Sequence, residues 1–147
     1  MTYVFQYDDL LARCNTLSSY EGRNAVSANG ESDYLKTKIS NQDETLVRMY
    51  LQEGAHLLED IIGGKIIASS EYGDDSFTWM LDIDTERWSR DDTMSKSIME
   101  SVSSYAMKMW MDYNDKPKRA ETYEQIWQSM SAQVRRMAYR KTKPVLT

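Results

Sequence analysis

His56 is the one histidine that the 147-residue chain offers to a catalytic relay or a zinc site. A serine or cysteine triad would have to use it alone, and no nucleophile motif accompanies it. It lies beside the apolar stripe of its helix, the place of an ordinary boundary histidine. Carboxylates are more densely grouped. Asp82, Asp84 and Glu86 in "DIDTE", with Asp74-Asp75 and Asp91-Asp92 near by, form the kind of cluster that hard cations favour. The stretch lacks the glycine and the ligand spacing of an EF-hand loop, and Asp82 and Asp84 share one strand face, so a solvated rim is expected there. Gly63-Gly64-Lys65 is not a phosphate loop, because the preceding glycine and the hydroxyl after the lysine are missing; it reads as a helix stop. The single cysteine, Cys14, cannot staple the fold and reads as a small buried residue of a chain in a reducing compartment.

One constellation has binding potential. Arg135, Arg136, Tyr139, Arg140, Lys141 and Lys143 gather near the C-terminus, where they could contact phosphates or carboxylates or complement the dipole of a final helix. From Lys116 onward eight basic residues face two acidic ones, a local balance of +6, so the preceding 115 residues carry −11 of the net −5. Such polarity suits head-to-tail self-contact, or a basic end that meets an acidic partner or nucleic acid. Sequence-specific DNA reading is not expected, because no helix-turn-helix spacing is evident and the chain is acidic overall.

These residues must be positioned by a helix-rich globular fold. Hydrophobic content of 41%, charged content of 28% and only two prolines predict a single domain over residues 1–147. No apolar run approaches the ~20 residues of a membrane span, and the start lacks the basic and apolar regions of a secretory signal. Residues 2–17 space Val4, Tyr7, Leu11 and Cys14 as a helix, although "TYVFQY" alone could be a strand. Residues 18–32 read as a Ser/Asn/Gly-rich surface loop, followed by a short helical turn at 33–38. A helix over 42–62 has a capping box in Asn41 and Glu44, an apolar face in Leu46, Tyr50, Leu57, Leu58 and Ile61, and its stop at Gly63. Residues 65–70 and 76–83 read as a β-hairpin inserted between helices, since Phe77, Trp79, Leu81 and Ile83 alternate with polar residues. A lone hairpin is marginal in water, so it must pack on helices or pair with another subunit's strands.

Two helices follow, over 92–113 and 119–140, the second aligning Tyr123, Ile126, Trp127, Met130, Val134 and Met137, and residues 141–147 form an extended C-terminal arm. The first places Ile98, Val102, Tyr105, Ala106, Met109 and Tyr113 on one stripe and widens it with Met107, Trp110 and Met111. That width implies a second partner, another helix of the chain or a neighbouring subunit. Tyr105, Met109, Trp110 and Tyr113, with Trp79 of the hairpin, are the expected subunit interface.

The order of a capped helix in "DETLVRMYLQEGAHLLEDIIGG", a hairpin-like insert and an apolar helix in "SIMESVSSYAMKMWMDYN" resembles the head–tail connector, or adaptor, proteins of tailed bacteriophages, over residues 43–64 and 97–114. The resemblance implies a small helical bundle, with no catalytic residue and no cofactor or metal. Such subunits assemble, commonly twelve-fold, into a ring beneath the portal that bridges capsid to tail. Portal, tail and neck proteins would be the partners, and the virion neck the location after synthesis in the host cytoplasm. The family's C-terminal segment typically reaches the portal, which maps onto residues 135–147. A heterologous ring asks each subunit for two different complementary faces, and residues 105–113 would supply one. Two alternatives stand beside it: a nucleic-acid-binding or regulatory helical protein using the basic C-terminal helix, and a small metal-dependent enzyme using Asp82, Asp84 and Glu86.

Overall fold

In the computed structural model, which describes residues 2–24, 37–81 and 91–139, the chain is mainly helical with a small antiparallel sheet. Strand β1 (Thr2–Gln6) leads directly into α1 (Tyr7–Asn24). A 3-10 turn (Asn41–Asp43) opens α2 (Glu44–Ile62), and β2 (Ile67–Tyr72) and β3 (Ser76–Leu81) form the hairpin. Helices α3 (Asp91–Tyr113) and α4 (Pro117–Tyr139) complete the described chain.

The expected alternation builds β3, with Phe77, Trp79 and Leu81 buried and Met80 exposed. The hairpin has a third strand from its own chain. The sheet order is β1-β3-β2, with Tyr3 opposite Trp79 and Phe5 opposite Phe77, whose rings stack at 4.9 Å. The expected helix over 2–17 is therefore a strand through Gln6 and a helix from Tyr7. Tyr3 and Phe5 point inward around exposed Val4, and β3 supplies the backbone partners that a strand needs.

Helix α1 also runs further than expected, so residues 18–24 are helical and not loop. Two of their polar side chains, Ser18 and Glu21, turn inward to specific partners. Ser18 donates to the Asn15 carbonyl at 3.1 Å and accepts the Ile39 N–H at 3.1 Å, and buried Glu21 receives Arg119 and Tyr123 from α4. The helical turn expected at 33–38 lies outside the described residues except for Thr37 and Lys38.

The cap of α2 is shifted by one residue. Asp43, not Glu44, closes back on Ser40, accepting its N–H at 3.1 Å and its hydroxyl at 2.6 Å, because residues 41–43 wind as a 3-10 turn first. Gly63 ends the helix at φ 89°, its N–H donating to the Glu59 carbonyl at 2.8 Å. The buried face is also rotated from the expected one. Val47, Leu51, Gly54, Ala55, Leu58 and Ile62 face inward, while Leu57 and Ile61 stay on the surface. Small residues decide this rotation: a Cβ on Gly54 would come within 2.9 Å of the Tyr105 ring, so only the face carrying Gly54 lets α3 approach so closely.

Helix α3 is the centre of the bundle, packed against α1, α2 and α4. Residues 101–107 are buried without interruption, the signature of a helix surrounded on all sides. Ser97, Ser101, Ser103 and Ser104 are buried where neighbours come close, while Met94, Met107 and Met111 fill the space between them. The breadth of apolar surface on this helix is thus answered by helices of the same chain. Pro117 begins α4, and Ala120, Tyr123, Trp127, Ser131, Val134 and Ala138 face inward, leaving Ile126 of the expected stripe exposed.

Candidate assembly surfaces

The polar ties between elements converge on carboxylates. Glu53 of α2 accepts the Tyr105 hydroxyl at 2.6 Å, and Glu59, one turn and a half further on, accepts Ser70 and Tyr72 from β2, each at 2.5 Å. The Trp79 indole donates to the Tyr72 hydroxyl at 3.1 Å, so one glutamate anchors the inner face of the sheet to α2. Glu21 accepts the Arg119 guanidinium and the Tyr123 hydroxyl, closing α1 on α4. Burial first, and then the adjoining carboxylates, push the Tyr72, Tyr105 and Tyr123 hydroxyls well above their ordinary pKa. Nothing in the apolar periodicities signalled these ties. The available clue was glutamates 21, 53 and 59 placed just off buried faces, within reach of a tyrosine whose ring is inside.

The side chains expected at a subunit interface divide between interior and surface. Trp79, Tyr105 and Trp110 are interior residues of the chain, and the Trp110 indole donates to the Thr37 carbonyl at 2.6 Å. Met109 is half-buried, and Tyr113 stacks on Trp110 with 62% of its surface exposed. The inward rotation of α2 leaves further apolar surface outside. Met49 is 62% exposed, Leu57 39% and Ile61 36%, on the same helix as the half-buried Leu46 and Tyr50. Helical spacing sets Leu46, Tyr50, Leu57 and Ile61 on one flank, an apolar band on a helix otherwise packed.

Of the basic cluster, Arg135 and Arg136 are exposed on the last turns of α4, and neither forms an ion pair among the described residues. Arg135 lies over the Tyr139 ring at 5.4 Å, and the Tyr139 hydroxyl donates to the Ile62 carbonyl at 2.7 Å, fixing the end of α4 beside the end of α2. Arg140, Lys141, Lys143 and the expected arm lie outside the described residues. His56 is exposed and stacks on Tyr72 at 3.8 Å. Cys14 is fully buried, and that burial pushes its thiol up to about 12. Asp82, Asp84 and Glu86 lie outside the described residues, among which no three His, Cys, Asp or Glu could hold a metal ion.

Charge is separated along α1. At its start, the Tyr7 N–H donates to the Asp75 carbonyl at 2.9 Å, which holds the hairpin turn against the first helical turn. Asp8, Asp9, Glu71, Asp74 and Asp75 are all exposed at this corner, and only Asp8 has an ion-pair partner among the described residues, Arg48. At its other end, α1 forms one wall of a groove of about 590 Å³ opposite residues 38–41. Arg23 and Lys38 bring two cations to the groove, Asn15, Ser19, Tyr20 and Asn41 bring hydrogen-bonding groups, and among the described residues no carboxylate lines it.

No family model, curated protein or solved structure matches the chain. No helix among the described residues is long and apolar enough to cross a membrane.

Proposed function

We propose that the chain is a structural, non-enzymatic subunit of the head–tail connector kind, which forms a ring joining the portal of a phage capsid to the tail, in the virion neck. The observation that supports it is the apolar band of α2. A bundle that has filled its core with three tryptophans and tyrosine-to-glutamate ties still leaves Leu57 and Ile61 at the surface of α2, on the flank of the half-buried Leu46 and Tyr50. Apolar side chains grouped on one helix face serve docking, and a ring subunit must dock on both neighbours and on the portal or tail proteins. The ring is read as homo-oligomeric, twelve-fold by resemblance, and needs no cofactor.

The test is the mass of the purified chain by light scattering over a concentration series, for the natural sequence and for Leu57→Glu combined with Ile61→Glu. A discrete high-order mass that the double variant reduces, with an unchanged melting temperature, supports the reading. A mass that the variant leaves untouched contradicts it. The exposed, unpaired Arg136 and its neighbour Arg135 favour a second reading, a nucleic-acid-binding helical protein; a monomer whose DNA affinity falls steeply with salt and is lost in Arg135→Glu with Arg136→Glu would establish that instead.

A further inference from the structure

We infer that residues 140–147 of one copy of this chain dock as an added strand on the β1 edge of the next copy, antiparallel to β1. The inference rests on the reading of the protein as a self-assembling subunit and names one of its contacts. The phase of the ladder decides which main-chain groups β1 can offer. The Tyr7 N–H donates to the Asp75 carbonyl at 2.9 Å, which extends the β1·β3 register by one pair. Hydrogen-bonded pairs alternate along an antiparallel ladder, so Phe5 and Tyr3 bond β3 as Tyr7 does, and the N–H and C=O groups of Thr2, Val4 and Gln6 point away from it. All three of these residues are exposed, and β3 is the one strand that pairs with β1 among the described residues. The edge lacks the usual protections. Thr2–Gln6 carries no charge, proline or bulge, whereas β2, the other edge strand, has a register shift between Ile67 and Ser69 and an exposed Glu71. On the outer face of the sheet, Val4 and Met80 are exposed beside this edge.

The order of charge along the edge selects the occupant. Asp9, Glu71, Asp74 and Asp75 are exposed at its Gln6 end, and Val4 with Met80 lies toward its Thr2 end. Residues 140–147, "RKTKPVLT", have the matching order, with Arg140, Lys141 and Lys143 first and Val145 and Leu146 after them. Run antiparallel with Val145 opposite Val4, the segment sets Lys143 opposite Gln6 and Thr147 opposite Thr2, and Arg140 and Lys141 continue to the acidic corner. Pro144 then falls opposite Phe5, whose main chain bonds β3, so the N–H that proline lacks is one that would face solvent. The segment's own copy presents the reverse order. Tyr139 ends α4 against the Ile62 carbonyl, next to the start of β2 at Ile67, which pairs with Leu81 at the end of the sheet away from the Gly73–Ser76 turn. Laid on its own sheet from there, the segment would bring its cations to the Thr2 end and its apolar residues to the carboxylates. The contact is therefore between copies and heterologous: it closes into a ring when the rotation per subunit fits, and otherwise continues as a filament. The apolar band of α2 is a separate surface, so the two can be disabled independently.

The experiment is a charge swap on the full chain, read by light scattering at low ionic strength. Asp74→Lys with Asp75→Lys reverses the corner, Lys141→Glu with Lys143→Glu reverses the segment, and a third chain carries all four changes. Circular dichroism and melting temperature confirm folding of each variant, and Asp74→Asn with Asp75→Asn serves as a milder corner variant. The natural chain is expected to exceed the 17.1 kDa monomer mass, and ~0.5 M salt should reduce that mass by screening the contact. Either reversal alone should lower the mass toward the monomer, and the four-fold variant should regain the assembly, because its charges are again opposite across the contact. Val4→Pro tests the strand pairing itself: it removes an N–H that the sheet does not use, a change an edge strand tolerates, and should lower the mass with every charge in place. Reversed variants that assemble like the natural chain, a four-fold variant that stays monomeric, a Val4→Pro chain of natural mass, or a natural chain that is monomeric at every concentration would each overturn the inference. So would a monomer that binds a DNA oligonucleotide through Lys141 and Lys143, which would assign the segment to nucleic acid. An assembly that survives both reversals but is lost with Leu57→Glu and Ile61→Glu would overturn the strand contact alone and leave the ring reading standing.

Discussion

Tyr105 reaches from α3 to the Glu53 carboxylate at 2.6 Å while its ring lies over Gly54, so one side chain sets both the distance and the polar registry between the two helices. Replacing Gly54 with Ala tests the distance. The substitution improves helix propensity by about 1 kcal/mol, yet its Cβ would sit 2.9 Å from the Tyr105 ring, and overpacking of this kind costs about 1–3 kcal/mol. The expected outcome in urea denaturation is net destabilisation. A stabilised Gly54→Ala chain would show that the helices are not in such close contact.

Glu59 accepts two donors from β2, and Gln in its place keeps the size but loses the charge and one acceptor. With a part-buried donor left unpaired, Glu59→Gln should destabilise by about 1–3 kcal/mol. The loss should be smaller in a Tyr72→Phe background, which removes a donor that needs the carboxylate; equal losses in the two backgrounds would argue against a shared network.

Stability should fall at alkaline pH. The Tyr72, Tyr105 and Tyr123 hydroxyls have folded-state pKa values raised above the ordinary 10.0, chiefly by burial. Below pH 10 these groups are protonated in both states and their contribution is fully present. Above it the unfolded tyrosines ionise first, so stability declines as the pH rises from 10 toward the folded values. Denaturation midpoints between pH 8 and pH 11 check this, on the order of a few points being enough to define the slope. Glu124 acts at the other end of the scale: burial raises its pKa, but hydrogen bonds from Lys108 and Gln128 outweigh that and hold it low, so its contribution is lost as the pH falls below the carboxylate range.

Much of this architecture was legible because its signals are local. The period-two run from Phe77 to Leu81, the glycine stop at Gly63 and the lengths of α2, α3 and α4 each depend on a few neighbouring residues. The misreadings share a cause in partners distant along the chain. Thr2–Gln6 becomes a strand because β3, more than 70 positions away, pairs with it. Residues 18–24 become helix because Arg119 and Tyr123 satisfy Glu21. On α2 the wider apolar flank looked like the core, whereas the face that packs is the one where Gly54 and Ala55 admit another helix. Trp110 and Tyr105 fit a subunit interface by sequence alone because a helix buried on every side and a helix with two partners in different chains show the same pattern.

Trp110 and Tyr113, adjacent and stacked, should therefore separate folding from assembly. Trp110→Ala empties an interior site and removes the bond to Thr37, with an expected cost of about 3–5 kcal/mol. Tyr113→Ala changes an exposed side chain and should leave folding within about 0.5 kcal/mol while lowering the mass of any assembly. Urea denaturation and light scattering on the two variants read these effects separately, and the reverse assignment would contradict the packing of α3.

Cys14 should be inert to thiol reagents in the folded chain, since it is fully buried and its thiol is pushed up to about 12. Labelling with a maleimide should become complete only in denaturant. Rapid labelling under native conditions would show that the contact of α1 with α3 opens readily.

The mass of the natural chain by light scattering across a concentration series, at low ionic strength and in ~0.5 M salt, bears most directly on self-assembly through charged and apolar surfaces. The expected result is a discrete high-order species at low salt that loses mass as salt rises. A 17.1 kDa species under every condition would contradict self-assembly of the chain.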